Sequence, residues 1–321
     1  MIFLRWIVML ALVGLVSPVS AHHSDAGYDR ATVVVLEAEV IRYVFRNPHI
    51  TIFVAAADGN GPAVEWEIET GSTPIMQRSG WSRDLLSPGD RVVVRAHPER
   101  SGGHRAILNT LETADGALWS QIERDAEATA AAASLAGVWK GIASTSLNPQ
   151  TRQAALTAAG QMARDSYNEL TDDPNNQCIP NPPPFHVSNS NYLTGIELRD
   201  DRVILRNEFF DVSRTIYTDG RDHPQNVEPS NQGHSIGRWE NGVLAVDTRL
   251  LAEHRSGNGG GIPSSTSRHV VERLALSEDR TRLIVDVRIE DPMYLAEPFT
   301  GRTELTYVPH LQLYRYDCRI E

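Results

Sequence analysis

The stretch Ser235-Ile236-Gly237-Arg238-Trp239-Glu240-Asn241-Gly242-Val243-Leu244-Ala245-Val246-Asp247 decides the fold class. Asn-Gly is the pair that a two-residue hairpin loop favours, because both central residues must adopt positive φ. Strand-length runs flank it, Ser235 to Trp239 before and Val243 to Asp247 after, so the segment predicts an antiparallel hairpin. Upstream lie Val203 to Arg206 and Thr215 to Tyr217, followed by the turn Asp219-Gly220. Downstream, Val270 to Leu276 and Leu283 to Glu290 pair around Ser277-Glu278-Asp279, and Thr303 to Tyr307 and Leu311 to Tyr316 make the last pair. Ala136 to Gly141 opens the unit. Eight to ten strands in residues 136–321 predict a larger antiparallel β-barrel, whose closure removes exposed edges. An open antiparallel sheet curled over residues 151–176 is the alternative. Leu156 to Tyr167 reads as a helix with Leu156, Ala159, Met162, Ala163 and Ser166 on one face.

Residues 22–120 form a separate all-β module. Short apolar runs at Thr32 to Leu36, Ile50 to Val54, Val64 to Ile68, Arg91 to Arg95 and Ala106 to Leu111 alternate with Asp58-Gly59-Asn60-Gly61, Pro88-Gly89-Asp90 and Asp115-Gly116. Five or six strands in under 100 residues predict a small OB-like barrel, with Ser72 to Arg78 as a short helix across one end. Residues 121–135, with Ala128 and Ala130 to Ala133, read as a short linking helix. The overall expectation is all-β: an OB-like barrel followed by a larger one.

Met1 to Ala21 has a cation at Arg5, an apolar run from Trp6 to Val16, and small residues at Val19-Ser20-Ala21, the pattern of a secretory signal peptide. Ser17 and Pro18 end the run short of the roughly 20 residues a membrane span needs. The expected product is a soluble periplasmic protein with no transmembrane anchor after processing. Removing 21 of 321 residues leaves 300, and loss of Arg5 takes the net charge from -11 to -12. That balance argues against nucleic acid as a partner, since phosphate binding needs many cations. Cys178 and Cys318 are the only cysteines; an oxidising compartment favours a disulfide between them over two separate thiols.

Several motifs resemble known families. Ala21-His22-His23-Ser24, Asn47-Pro48-His49, Gly80-Trp81, Pro88-Gly89-Asp90-Arg91-Val92 and Asp115-Gly116 resemble an uncharacterised family of exported bacterial proteins. Ile216 to Pro224, Gly233 to Glu240, Val246-Asp247-Thr248 and Glu290-Asp291-Pro292 resemble a second uncharacterised exported family, rich in β structure. Gly137-Val138-Trp139 is similar to the first barrel strand of lipocalins and calycins. The two exported families imply architecture and export, and supply no catalytic residues.

Two chemistries follow. Cleavage after Ala21 gives His22 a free α-amine beside its imidazole, a chelate suited to copper, with His49 as third ligand, His23 as its substitute or support, and Asp25 as an oxygen ligand. This arrangement resembles N-terminal histidine copper sites. A turn-capping His49 behind a polar tail is the plainer reading. His97 and His104 are expected to face solvent. In the second unit Arg206, Glu208, Arg214, Tyr217, His223, His234, Arg238 and His269, with Asp247, His254, Glu272 and Arg273, concentrate on neighbouring strands and loops. Arg206 and Glu208 are expected to share a strand face, and Arg214 to join them. His269 shares a face with Val271; Val270, Glu272 and Leu274 share the other. Such groups suit a pocket for a small amphipathic or anionic ligand, or else form surface pairs and structural networks. The segment Ser256 to Ser265 is expected to be an exposed loop, with a lid as the alternative. There is no His-Glu-x-x-His and no familiar catalytic set, so a binding protein is expected over an enzyme. A structural role, with the first module contacting an envelope protein partner, is the remaining alternative.

Overall fold

The computed structural model describes residues 27–57, 61–120 and 127–319. The leader, His22, His23, Asp25 and most of the Asp58 to Gly61 turn lie outside those residues. Two β-barrels follow one another along the chain.

The first barrel contains β1 (Val34–Val44), β2 (Thr51–Ala57), β3 (Ala63–Glu69), α1 (Thr73–Arg78), β4 (Arg91–Pro98), β5 (Arg105–Thr113) and the short β6 (Leu118–Ser120). Antiparallel ladders run β3-β2-β1-β4-β5, and a parallel pairing of Glu67, Ile68 and Glu69 with Arg105, Ala106 and Ile107 closes the ring. Strand alternation supplies the filling: Ile52, Val54 and Ala56 from β2 and Val92, Val94 and Ala96 from β4 all turn inward. A bulge between Val40 and Arg42 in β1 adds the local twist that a tight closed sheet requires. Helix α1 sits between β3 and β4, as expected of an OB-like barrel.

The second barrel contains β7 (Gly137–Gly141), β8 (Leu193–Leu198), β9 (Arg202–Asn207), β10 (Val212–Tyr217), β11 (His234–Glu240), β12 (Val243–Arg249), β13 (His269–Leu276), β14 (Arg282–Glu290) and β15 (Phe299–Tyr307). These nine strands form a closed ring, so the closed barrel holds and the open sheet does not. The β11–β12 hairpin pairs Glu240 with Val243 across Asn241 (φ 51) and Gly242 (φ 85), the positive values its sequence demanded. One pairing departs from the antiparallel expectation: β10 and β11 run parallel, through Ile216 with Ser235 and Tyr217 with Ile236. Residues 218–233 return the chain to the same end of the barrel before β11 starts, which a tight hairpin turn cannot do.

Four further expectations change. Residues 127–135 carry no helix; Ala132 and Leu135 are buried in the second barrel's core, and residues 121–126 lie outside the described residues. The helix expected at 156–167 spans Ala158–Asp165, starts at Thr157, whose hydroxyl accepts from the Gly160 N–H, and exposes Met162. Its close-packed residue is Gly160, where a Cβ would lie 2.2 Å from the Tyr294 carbonyl oxygen. Leu311 to Tyr316 pairs with no strand; side chains hold this tail instead, Glu208 accepting from Tyr314 N–H and Asp211 from Tyr316 N–H, each at 2.9 Å. The Gly-rich segment 256–265 is largely buried and packs on Phe185, Tyr167 and Thr151, so it is neither an exposed loop nor a lid.

Cys178 and Cys318 form a disulfide with Cα atoms 5.8 Å apart, tying the tail to the excursion between β7 and β8. Buried polar contacts join the barrels: Arg78 pairs with Glu208 and donates to the Asn191 carbonyl at 2.7 Å, Tyr192 donates to Ser72 Oγ at 3.0 Å, and Asn47 Nδ2 donates to the Tyr316 carbonyl.

Candidate functional site

The wall formed by β10 to β14 carries polar groups on both faces, and period-two alternation sorts them. Thr248 and Glu272 point inward, while Asp247, Arg249, His269, Val271 and Arg273 point outward. The hairpin turn fixes the rest: Glu240 opposite Val243 forces Ile236 opposite Asp247 and His234 opposite Arg249. Pairing with β13 then places Val271 opposite Asp247, and β14 places Glu290 opposite His269.

Inside, Arg214 and Glu272 form an ion pair with both side chains 1% exposed. Arg214 also donates to Ser235 Oγ at 2.9 Å and Thr248 Oγ1 at 2.7 Å. Every arm of the guanidinium is thus engaged, which offsets the cost of taking the charges out of water. Around the pair the barrel is filled by Trp139, Leu205, Ile216, Val246, Leu274, Val285 and Leu305. His186 lies in this interior with neither ring nitrogen hydrogen-bonded, and burial together with the charge of Arg214 pushes its pKa down to about 3. The imidazole is therefore neutral at physiological pH.

Outside, Asp247 is the hub. Its Oδ1 lies 2.8 Å from His223 Nε2 and its Oδ2 lies 2.6 Å from His269 Nε2. Burial opposes ionisation of Asp247, but the hydrogen bonds from His269 and His223 outweigh it and hold the carboxyl below the usual range. A carboxylate only accepts, so both rings donate from Nε2. In neutral His223 the Nδ1 lone pair then accepts from His234 Nδ1, 2.9 Å away. Burial and the nearby His223 and Arg221 lower the His234 pKa, favouring its neutral form. Tyr217 stacks on the His234 ring at 5.2 Å, and the Arg221 guanidinium lies over the Tyr217 ring at 3.8 Å.

Beside this cluster lies a cleft of about 320 Å³. Ile236, Ala245 and Val271 supply apolar surface, Arg238 and Arg249 supply the cationic groups, and His223 lines the edge with both ring nitrogens engaged. The acids are already paired, Asp247 with the histidines and Arg249, and Glu240 with Arg273 at 2.8 Å. Arg238 makes no ion pair with any described residue and is exposed.

The structure thus brings together Tyr217, His223, His234, Arg238 and His269, and separates the other three. Arg206 stands exposed on β9, 3.8 Å from Glu197. Glu208 does not share its face: β9 ends at Asn207, the chain turns, and Glu208 is buried between the barrels, its pKa raised by burial despite the opposing charge of Arg78. Arg214 points inward, away from Arg206. His254 is buried against the Gly-rich segment, bonded through its backbone to Ser264, with its pKa lowered to about 4 by burial and by Arg268. Asp247, Arg249 and Glu290 were not singled out as a set, although the two-residue turn alone fixes the first two on the face of Ile236 and His234.

The expected metal ligand His49 lies in the first barrel. Its Nδ1 is 2.8 Å from Glu69 Oε1 and 3.0 Å from the Thr70 carbonyl, and Tyr28 donates to Glu69 Oε2 at 2.9 Å. The Glu69 carboxyl, although burial raises its pKa, is held below the usual range by His49 and Tyr28. Among the described residues no three His, Cys, Asp or Glu side chains are grouped as metal ligands. His97 Nδ1 is 2.8 Å from the Thr32 carbonyl, and His104 meets the edge of Trp66.

A further groove of about 560 Å³ on the first barrel is lined by Glu37, Glu39 and Glu112 against the single cation Arg91. Its charge is the opposite of what an anion would require. No curated protein matches this chain. Residues 11–108, reaching through β1 to β4 and into β5, match the model of DUF6152, a family of unknown function, so the N-terminal part of the chain is similar to an uncharacterised family.

Proposed function

We propose that this chain is a soluble, exported periplasmic binding protein for a small amphipathic anion, and that the ligand sits in the outer cleft of the second barrel. The carrying observation is Arg238, which makes no ion pair with any described residue, beside an apolar floor in a cleft whose acids are already neutralised by partners. An apolar ligand body rests on Ile236, Ala245 and Val271. Its carboxylate meets Arg238, with Arg249 and His223 alongside. The interior is filled by apolar side chains and a saturated ion pair. Titration of isotope-labelled protein with hexanoate, followed by amide NMR, tests the reading. Saturable shifts confined to residues 236–249 and 271, lost in Arg238→Ala, are expected. Shifts that are absent or indifferent to Arg238 overturn it.

One observation favours a second reading, copper held by the processed N-terminus. His49 Nδ1 faces two acceptors, Glu69 and the Thr70 carbonyl, so the neutral ring carries its lone pair on Nε2, and the carboxylate–histidine arrangement is the one that orients metal ligands. Tyr28 is bonded to the same Glu69, and six residues of chain reach roughly 20 Å, enough to return His22 to His49. Copper(II) titration of protein beginning at His22, beside protein with one extra N-terminal residue, tests it. Equal affinity rejects the chelate.

A further inference from the structure

The cleft between the two barrels has chemistry opposite to that of the outer cleft. It encloses about 280 Å³. One wall is aromatic: Phe209 and Phe210 have ring centroids 4.3 Å apart, and Tyr316 lies 5.5 and 4.8 Å from them. Tyr192 backs this wall, 4.8 Å from Phe209. The facing rim carries Asp173 and Asn175, and neither Lys nor Arg lines the space. Asn175 Oδ1 is buried and has no hydrogen-bond partner, so an acceptor is left unanswered beside the cleft.

We propose that this cleft binds a compact organic cation of the methylated-ammonium class. The π faces of the aromatic wall attract a cation that carries apolar methyl groups, and the carboxylate of Asp173 complements its charge. An anion would meet no Lys or Arg there, and His49, which also lines the cleft, is already paired with Glu69 through Nδ1. The wall is held in place before any ligand arrives. Phe210 and Asp211 adopt φ of 55° and 54°, a conformation that side-chain-bearing residues rarely take. Asp211 sustains it by accepting from the Tyr316 and Asp317 N–H groups at 2.9 Å. The Cys178–Cys318 disulfide fastens the rim segment to the tail that supplies Tyr316. Such strain, kept by several constraints at an aromatic cleft, fits preorganisation for a ligand.

Choline and its neutral carbon isostere 3,3-dimethyl-1-butanol, titrated into the full chain, test this proposal. Choline is expected to shift amide resonances of residues 173–176 and 209–211 saturably, with the isostere at least about fivefold weaker. Phe210→Leu, which keeps apolar bulk and removes the ring, is expected to weaken choline by about fivefold or more. Asp173→Asn keeps an oxygen to accept from the Asn175 N–H, a bond of 2.9 Å here, so it removes charge without removing that turn contact; a similar loss is expected. Arg238→Ala is expected to leave choline binding unchanged, which separates this site from the anion cleft. Equal binding of the two probes, shifts located elsewhere, no shift at all, or indifference to Asp173→Asn each overturns the proposal.

Discussion

The two faces of the β10–β14 wall carry the same chemical types and use them oppositely. Inward, Arg214 and Glu272 meet in an apolar interior where every arm of the guanidinium is answered by protein. Outward, Asp247, His223 and His269 are 15–34% exposed, and Arg238 beside them makes no ion pair with any described residue. A buried charge must be completed by its own chain, because desolvation costs several kcal/mol per ion when no partner is present. A half-exposed charge can remain incomplete, because water stands in until a ligand displaces it. The difference separates a structural network from a candidate site without reference to residue type.

The comparison is most sharply tested from the inside. Glu272→Ala should strand Arg214 in the interior and lower unfolding free energy by about 3–5 kcal/mol in urea denaturation, whereas Arg214→Met with Glu272→Leu should cost much less. A double variant as unstable as the single one would break the distinction. Acidification comes next. His186 and His254 have folded-state pKa values lowered to about 3 and about 4, below the 6.5 of a free imidazole. Their unfolded forms therefore bind more protons between those values, so their stability contribution is full above pH 6.5 and is lost as pH falls toward 4 and 3. The melting temperature should fall across this range. His186→Phe should flatten the profile if it folds, and His254→Gln should do so to a lesser degree. Outside, Asp247→Asn should cost about 1 kcal/mol or less, since partly exposed pairs contribute little. Its signature should be altered tautomer signals of the His223 and His269 rings in nitrogen NMR. The smallest stability effect belongs to Arg238→Ala, which should leave the melting temperature in place while abolishing hexanoate binding.

Much of the fold was legible because it is local. The Asn241-Gly242 turn, the apolar alternation of β2, β4, β12 and β13, and the separation of His269 from Glu272 by face all depend on neighbours within a few residues. The site was legible in part. Tyr217, His223, His234, Arg238 and His269 do gather, but Arg206 and Glu208 diverge because β9 ends between them, which no period-two count anticipates. The aromatic wall at Phe209 and Phe210 carried no signal, since its rings come together through a strained turn and a tail fixed 105 residues further on.

The sequence by itself determined that the chain is two runs of short strands, which faces of those strands are apolar, and which turn joins β11 to β12, because these follow from backbone sterics and side-chain period. Tertiary structure alone decided that β10 and β11 run parallel and that Asp247 receives histidines 24 residues before it and 22 after it. Those outcomes require the nine-stranded ring to close, and closure is set by the whole set of pairings, with no single segment encoding it.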